Sequence, residues 1–230
     1  QGDAVLIVTP GGRQVLIDGG PDSRRLLTLL GERLPFWDHS LDMVILTHPH
    51  EDHVAGLAEV LRRYDVDLAL EREMDYPSPA YALWRSALAE RNVPVLQAVT
   101  GQRITLDRGL ALEVLYPPDR LLEGTSSDVD NASVVVRLVY GETSFLLTGD
   151  LHREGESFIL YRPLAVQSTV LKVAHHGSRS STDLKFVQEV SPQVAVVSLG
   201  EGNRFGHPHQ EPLNTLGELL PPERILITAT

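Results

Sequence analysis

Five short apolar runs that end abruptly in polar residues constrain the fold of this 230-residue chain more than any other feature. Such runs, rich in β-branched residues and bounded by Gly and Pro, are typical of buried strands. The five runs are 15–17, 43–46, 144–147, 170–174 and 194–197. The polar residues that follow them are, in the same order, Asp18, Thr47, Asp150, His175 and Ser198. In layered α/β folds, functional residues collect beyond the carboxyl ends of strands. The sequence therefore predicts an α/β fold with its functional residues at strand ends.

Helical spacing and capping residues occur between these strands. The predicted helices are one from Ser23 to about Leu34, one after His53, one from Ser78-Pro79 to about Arg91, one from Asp183 and one from Pro212. A hairpin is predicted over 4–17, strands over 95–116 and 133–148, and a turn at Gly141-Glu142. Because the strand-then-helix order recurs in both halves, we expect one domain over 1–230, built of two similar layers.

Composition excludes several classes of protein. The chain is 42% hydrophobic, and no apolar run approaches the ~20 residues of a membrane span. The absence of cysteine excludes disulfides, thiolate zinc sites and a cysteine nucleophile. The net charge of -11 means that an anionic substrate must be attracted by a local positive field from metals or a few arginines. The start at Gln-Gly-Asp leads us to expect a domain excised from a longer protein.

Histidines are strongly clustered in the sequence. Seven of the nine fall into three groups: His48, His50 and His53; His175 and His176; His207 and His209. Each group follows a predicted strand. A single histidine is usually a surface or satisfied core residue, but this arrangement favours a metal site.

The spacing of the first group suggests how metals bind. His48 and His50, two apart in an extended segment, can hold one divalent ion, and Asp52 with His53 can hold a second beside it. Asp150 is placed to bridge both ions. His175 or His176 completes the second site, and the other lies near the substrate; we take His175 as the ligand and His176 as catalytic. Two ions ~3.5–4 Å apart make a hydrolytic centre, in which Asp52 also takes part in catalysis.

Other candidates have stronger structural alternatives. Asp18 belongs to the common turn "DGG", or it orients a metal ligand from behind. Ser178, Arg179 and Arg204 are candidates for holding a phosphate. His207 and His209 are either exposed loop residues or catalytic groups that contact the substrate or donate a proton.

These residues resemble the metallo-β-lactamase fold superfamily over nearly the whole chain. The resemblance rests on Asp18 after a strand, the HxHxDH motif from His48 to His53, Asp150 at a strand end and a late strand-end histidine. It implies an αββα sandwich with a two-metal site at one edge of the sheets.

Longer motifs are similar to the C-terminal domain of the ComEC family of DNA-internalisation competence proteins. They include "LTHPHEDHVAGL", "DNASVVVRLVYGETSFLLTGD", "VLKVAHHGSRSST" and "GHPH". This resemblance implies a nuclease that degrades the non-transported strand during DNA uptake. It also implies a membrane channel part in the same full-length chain, a location at the cell membrane and an extracytoplasmic position for this domain.

The sequence departs from the wider superfamily at one ligand. Most members supply another histidine before the bridging aspartate, whereas no histidine lies between His53 and Asp150 and Asn131 occupies about that place. Asn131 is either a substituted ligand or a residue that supports one. An amide oxygen suits manganese better than zinc, so two ions, Mn²⁺ or Zn²⁺, are expected, one of them weakly held.

The leading interpretation is a metal-dependent phosphodiesterase that acts on DNA, preferably single-stranded. The same centre also suits a small phosphodiester, a lactone or a β-lactam, because the fold cannot select the substrate. A non-catalytic module that binds DNA or regulates a pore is the third interpretation.

Overall fold

The structure is a computed structural model that describes residues 2–228. The chain divides into two compact units, Gln1–Gln97 and Ala98–Thr230. The expectation of one domain over 1–230 stays a prediction. Among the described residues, none of the helices has the length and hydrophobicity of a membrane-spanning segment.

The first unit alternates strands and helices, as its apolar runs predict. Its strands are β1 (Val5–Val8), β2 (Gln14–Ile17), β3 (Ser40–Leu41), β4 (Met43–Ile45), β5 (Asp65–Val66), β6 (Ala69–Glu71) and β7 (Val95–Gln97). Its helices are α1 (Ser23–Arg33), α2 (Glu51–Val54), α3 (Leu57–Arg63) and α4 (Pro79–Glu90).

The main sheet of the first unit has the order β1-β2-β4-β6-β7. The predicted hairpin is confirmed as the antiparallel pair β1 and β2, and β2, β4, β6 and β7 run parallel. Because β2 and β4 are parallel neighbours, Asp18 and Thr47 follow their carboxyl ends at the same edge of this sheet.

Helices cover this sheet through a continuous apolar core. Leu16 and Val44 from the sheet, Leu57 from α3 and Trp84 from α4 are fully buried in it. The predicted cap-plus-proline start of α4 is confirmed, since the Ser78 side chain accepts from a backbone N–H of the first turn.

In the part of the second unit that the structure describes, there are seven strands and three α-helices. Its strands are β8 (Arg103–Asp107), β9 (Leu110–Tyr116), β10 (Val135–Tyr140), β11 (Thr143–Leu147), β12 (Val170–Lys172), β13 (Val194–Val197) and β14 (Ile225–Ile227). Its helices are α5 (Arg153–Leu160), α6 (Leu184–Val190) and α7 (Gln210–Gly217). Short 3₁₀ turns lie at Asp130–Ala132, Ala174–Gly177 and Pro222–Arg224.

The sheet of the second unit changes character at its middle strand. Its order is β14-β13-β12-β11-β10-β9-β8. Strands β8 to β11 are antiparallel, with the predicted Gly141-Glu142 turn between β10 and β11, whereas β11 to β14 are parallel. The carboxyl ends of β11, β12 and β13 are therefore neighbours at one edge, where Asp150, the His175-His176 pair and Ser198 follow them.

Two helix boundaries differ from the sequence prediction, and one helix was not predicted. Asp22, rather than Ser23, caps α1, because its carboxylate accepts the N–H groups of Arg24 and Arg25. Helix α7 begins at Gln210, two residues before Pro212, with His209 as its N-cap. Helix α5, directly after Asp150, was not predicted.

Candidate metal centre

Asp18 organises the polar edge of the first unit. The Thr47 backbone N–H donates to Asp18 Oδ1 at 2.8 Å, and the Thr47 hydroxyl donates to Oδ2 at 2.7 Å. Burial raises the pKa of Asp18, although the adjacent His53 and these hydrogen bonds oppose the shift. Asp18 has a left-handed backbone (φ 60°), and a Cβ on Gly19 would meet the Leu57 backbone nitrogen at 2.7 Å. The segment is thus held tightly against α3.

His53 is oriented by this carboxylate. Its Nδ1 lies 2.8 Å from Asp18 Oδ2 and donates to it, and the side chain is fully buried. The proton on Nδ1 makes Nε2 the nitrogen that can bind a metal, which is the usual arrangement of a metal-ligating histidine. Asp18 thus fixes the orientation of the His53 ring.

His48 and His50 place two ring nitrogens close together. The Thr47 hydroxyl gives its proton to Asp18, so its oxygen accepts from His48 Nδ1 at 3.1 Å, and His48 Nε2 is left as the donor atom for a metal. That Nε2 lies 3.1 Å from His50 Nδ1. Two neighbouring ligands with bonds of ~2.1 Å to one ion are about 3 Å apart, so the pair fits a shared metal.

Two aspartates accompany these histidines. Asp52 lies half-buried in the first turn of α2. Asp3, which the sequence analysis did not consider, is buried, and one of its carboxylate oxygens lies within 4.8 Å of a ring nitrogen of His53. A Cβ on Gly2 would overlap the Asp52 carbonyl oxygen, so Gly2 allows Asp3 to approach α2.

Asp150 is held by its neighbours in the second unit. Its backbone N–H donates to Ser133 Oγ at 3.2 Å, and the Lys172 ammonium donates to the adjacent Gly149 carbonyl at 3.0 Å. Asp150 and Lys172 are both buried. The carboxylate thus sits on a rigid strand end.

His175 and His176 adopt a strained backbone after β12. Both have left-handed φ values, 47° and 54°, which non-glycine residues rarely adopt. His176 Nδ1 donates to the Ser198 carbonyl at 2.9 Å, and its Nε2 lies 3.4 Å from Asp150 Oδ2. His175 Nε2 is 3.8 Å from the same oxygen. The fixed tautomer of the fully buried His176 gives it the arrangement of a metal ligand.

His175 belongs to a second group of donors. One ligand atom each of Asp130, His152 and His175 lies within 4.8 Å of the others, and this group could hold a metal ion. His152 Nε2 is 2.9 Å from His175 Nδ1 and 3.3 Å from Asp130 Oδ2. Asp130 and His152 were not proposed from the sequence. In the sequence, their one link to the site is that Asp130 is next to Asn131 and His152 lies two residues after Asp150.

Asn131 is used within the protein. Its amide oxygen accepts the Gly155 N–H at 3.1 Å, and its amide nitrogen donates to Glu154 at 3.3 Å. Its backbone carbonyl accepts from the Tyr116 hydroxyl at 2.6 Å. Of the two roles considered for Asn131, these contacts favour support of the site over metal ligation.

The loop after β13 brings His207 and His209 to the same region of the second unit. The His207 ring lies 5.6 Å from that of His175 and 6.5 Å from that of His176. Burial, followed by the three neighbouring histidines, lowers the pKa of His207 to about 4, so its imidazole is neutral at pH 7. His209 Nδ1 accepts the Arg179 backbone N–H at 3.0 Å.

The three proposed phosphate-binding residues have different environments. Ser178 is buried and its hydroxyl accepts from Ser180, whereas Arg179 and Arg204 are exposed. The two arginines therefore present their charge to solvent, whereas the Ser178 hydroxyl lies inside the protein.

The donor set in each unit fits a divalent metal. Imidazole nitrogens with fixed tautomers and buried carboxylates are the ligands that zinc and manganese take in proteins. His/Asp clusters able to hold metal ions thus occur among the described residues.

Sequence comparison agrees with this chemistry. Residues 1–201 match the metallo-β-lactamase superfamily. The chain belongs to this superfamily. Its members are metal-dependent hydrolases, and the predicted fold class, with mixed α and β content, is confirmed.

Competence proteins are among the relatives of this chain. The chain is 31% identical over 234 residues to ComE operon protein 3 of Bacillus subtilis, covering 94% of this chain and 29% of that protein. It is 30% identical over 220 residues to recombination protein 2 of Haemophilus influenzae, covering 94% and 25%. The chain thus spans less than a third of these relatives. A shorter match, 34% over 58 residues, joins 24% of this chain to 20% of the exodeoxyribonuclease WalJ of Streptococcus pneumoniae.

A solved structure supports the fold. The metallo-β-lactamase fold protein YhfI of Bacillus subtilis aligns over 100% of this chain and 89% of its own, with a TM-score of 0.64 and 14% identity. The predicted similarity to ComEC-type competence proteins is confirmed by the relatives at about 30% identity.

Proposed function

We propose that the chain is a metal-dependent phosphodiesterase that degrades DNA. The observation that carries the proposal is the hydrogen-bond geometry of three buried histidines, which defines their tautomers. Asp18, Thr47 and the Ser198 carbonyl each hold the Nδ1 of one histidine, so that the Nε2 of His53, His48 and His176 can bind a metal.

The proposed ligands are defined unit by unit. In the first unit they are His48, His50, Asp52 and His53. In the second unit they are Asp150 and His176, with His176 in place of His175. We propose two divalent ions, Mn²⁺ or Zn²⁺, which would supply a hydroxide nucleophile and a Lewis acid for the phosphate.

The protein residues around the ligands have their own tasks. Asp18 holds the His53 ring, and Lys172 with Ser133 holds the Asp150 segment, so that the ligands need little rearrangement during the reaction. Arg179 and Arg204, both exposed, are proposed to contact the phosphate of an anionic substrate. Such local charge is needed because the chain as a whole carries -11.

DNA is proposed as the substrate on the strength of the relatives. The competence proteins share about 30% identity with nearly the whole chain, and a short segment is similar to an exodeoxyribonuclease. For the full-length protein we propose degradation of the non-transported strand during DNA uptake, next to a membrane channel part of the same chain. This domain would then face the extracytoplasmic side of the cell membrane.

Cleavage of end-labelled single-stranded DNA tests the proposal. The purified domain is incubated with Mn²⁺, Zn²⁺, Mg²⁺ or EDTA, beside an Asp150→Ala variant and an Asp67→Ala control at an exposed position. We expect metal-dependent degradation that Asp150→Ala abolishes and Asp67→Ala retains.

Two other results would change the assignment. Hydrolysis of bis-p-nitrophenyl phosphate without DNA cleavage would favour a small phosphodiester as substrate. Metal binding without either reaction would favour a non-catalytic module that binds DNA or regulates a pore.

A further inference from the structure

We propose that Phe205 is a stacking platform for a base of single-stranded nucleic acid. This inference rests on the proposed function and deepens it, because it assigns a residue that selects unpaired DNA. Phe205 lies in the loop after β13, and 64% of its surface is exposed.

Phe205 is connected to the proposed metal ligands by stacked rings. The Phe205 and His207 rings lie 5.8 Å apart with 23° between their planes, and the His207 and His176 rings lie 6.5 Å apart, also at 23°. The three rings form a staggered series that begins at a proposed ligand and ends at solvent. A base on the outer face of Phe205 would therefore belong to a nucleotide close to the scissile phosphate.

The loop that carries Phe205 is pinned rather than loose. The Asn203 amide nitrogen donates to the His207 carbonyl at 2.8 Å, and the His207 N–H donates to the Asn203 amide oxygen at 3.0 Å. This pair of bonds closes the loop on both sides of Phe205. Because the ring is positioned before binding, less entropy is lost when a base stacks on it.

Other exposed aromatic rings of the second unit lack this relationship. Tyr161, at the C-cap of α5, is 85% exposed, and among the described residues its ring makes no stacked contact with another aromatic ring or a histidine. Among the described residues, it therefore provides a matched control for an exposed aromatic side chain.

The chemistry of stacking defines the ligand class. Every base offers a π-face, so stacking tolerates any sequence, and each stacked base contributes ~1–3 kcal/mol. Bases inside a duplex are already stacked on their neighbours and must be unstacked to reach the platform. The exposed Arg204 beside Phe205 adds a cation for the backbone. The platform should thus favour single strands over duplexes.

Binding of oligonucleotides tests the platform without relying on cleavage. Fluorescence anisotropy would compare an intact single strand, the same strand with abasic sites, and a duplex, using the full domain with Mn²⁺ and the Asp150→Ala background to prevent cleavage. We expect the protein with Phe205 to bind the intact strand about 5- to 150-fold more tightly than the abasic strand, from ~1–3 kcal/mol of stacking. Phe205→Ala should remove this preference, Phe205→Trp should restore it, and Tyr161→Ala should keep it.

Two outcomes would overturn the platform. One is a Phe205→Ala variant that prefers intact over abasic strands as strongly as the protein with Phe205 does. The other is no measurable binding of the intact strand by the protein with Phe205. If the parent protein does not cleave DNA but the Phe205-dependent binding preference is observed, that result would count against the proposed nuclease and not against the platform.

Discussion

The two units hold their histidines by different means. In the first unit a side-chain carboxylate, Asp18, anchors His53, and the Thr47 hydroxyl anchors His48. In the second unit a backbone carbonyl, that of Ser198, anchors His176, which itself sits in a left-handed turn. A side-chain anchor can be changed by one mutation, whereas a backbone anchor depends on the whole strand arrangement. The two units should therefore respond differently to substitution of these anchors.

Loss of a ligand should have the largest effect, and an equal one in both units. We expect His53→Gln and His176→Gln each to lower phosphodiesterase activity by about a thousandfold, because a bound metal contributes several kcal/mol to the transition state. Hydrolysis of bis-p-nitrophenyl phosphate and metal content would be measured. The exposed His39 offers a control, His39→Gln, with parental activity. A large loss in only one variant would mean that one unit alone supplies the catalytic metal ligands.

Loss of the side-chain anchor should have a smaller effect. We expect Asp18→Asn to weaken metal affinity about 10- to 100-fold, because His53 would lose the carboxylate that fixes its tautomer. Competition with a chromophoric chelator measures this affinity. Unchanged metal affinity would show that the packing around His53, and not the Asp18 carboxylate, orients its ring.

Glu156 should make stability depend on pH in the second unit. Burial raises its pKa to about 7, although it accepts the backbone N–H groups of Thr182 and Asp183. A folded-state pKa above the unfolded value of 4.5 means that this contribution is complete below about pH 4.5 and is lost as the pH rises through 7. The loss is about 3 kcal/mol.

Thermal unfolding between pH 5 and 8 would measure this effect. Glu156→Gln should flatten the decline, because the amide carries no charge at any of these pH values. If the variant and the parent protein lose stability in parallel, another group is responsible.

Close backbone approaches should produce the smallest effects, and in both units. A Cβ on Gly19 would meet the Leu57 backbone, and one on Gly177 would meet Pro208 at 2.8 Å. We expect Gly19→Ala and Gly177→Ala each to lower the free energy of unfolding by about 1–3 kcal/mol, with the larger loss at Gly177, whose φ is +75°. Gly217, in α7 with open space around it, provides a control: Gly217→Ala should be neutral or slightly stabilising. Chemical denaturation compares the three.

Local signals in the sequence predicted much of the fold. The Ser78-Pro79 start of α4, the hairpin of β1 and β2, and the turn at Gly141-Glu142 each depend on neighbouring residues alone. Helix α5 was missed because it follows directly on the polar strand end at Asp150, where the sequence analysis expected only site residues. The boundary error at Ser23 arose because a competing cap, Asp22, lies one residue away. Helix α7 extends two residues before Pro212 because a proline within the first turn leaves no intrahelical hydrogen bond unmade.

The site was predictable only where its residues form a motif. His48, His50 and His53 are close in sequence, and Asp150 follows an evident strand. Asp3 and Asp130 carry no such signal, because long-range packing brings each of them to histidines. The choice between His175 and His176 depends on left-handed backbone angles and on the Ser198 carbonyl, which no spacing rule encodes.

The left-handed turn at His175 and His176 also has a consequence for heat inactivation. A left-handed conformation costs roughly 1–2 kcal/mol for each non-glycine residue, so this turn persists only while its surroundings hold it. The His175 N–H bond to Gly149 and the His176 bond to Ser198 are those restraints. As the ends of β11 and β13 loosen on heating, the turn should relax toward ordinary backbone angles before either sheet melts. The temperature at which catalysis stops would then lie below the midpoint of unfolding.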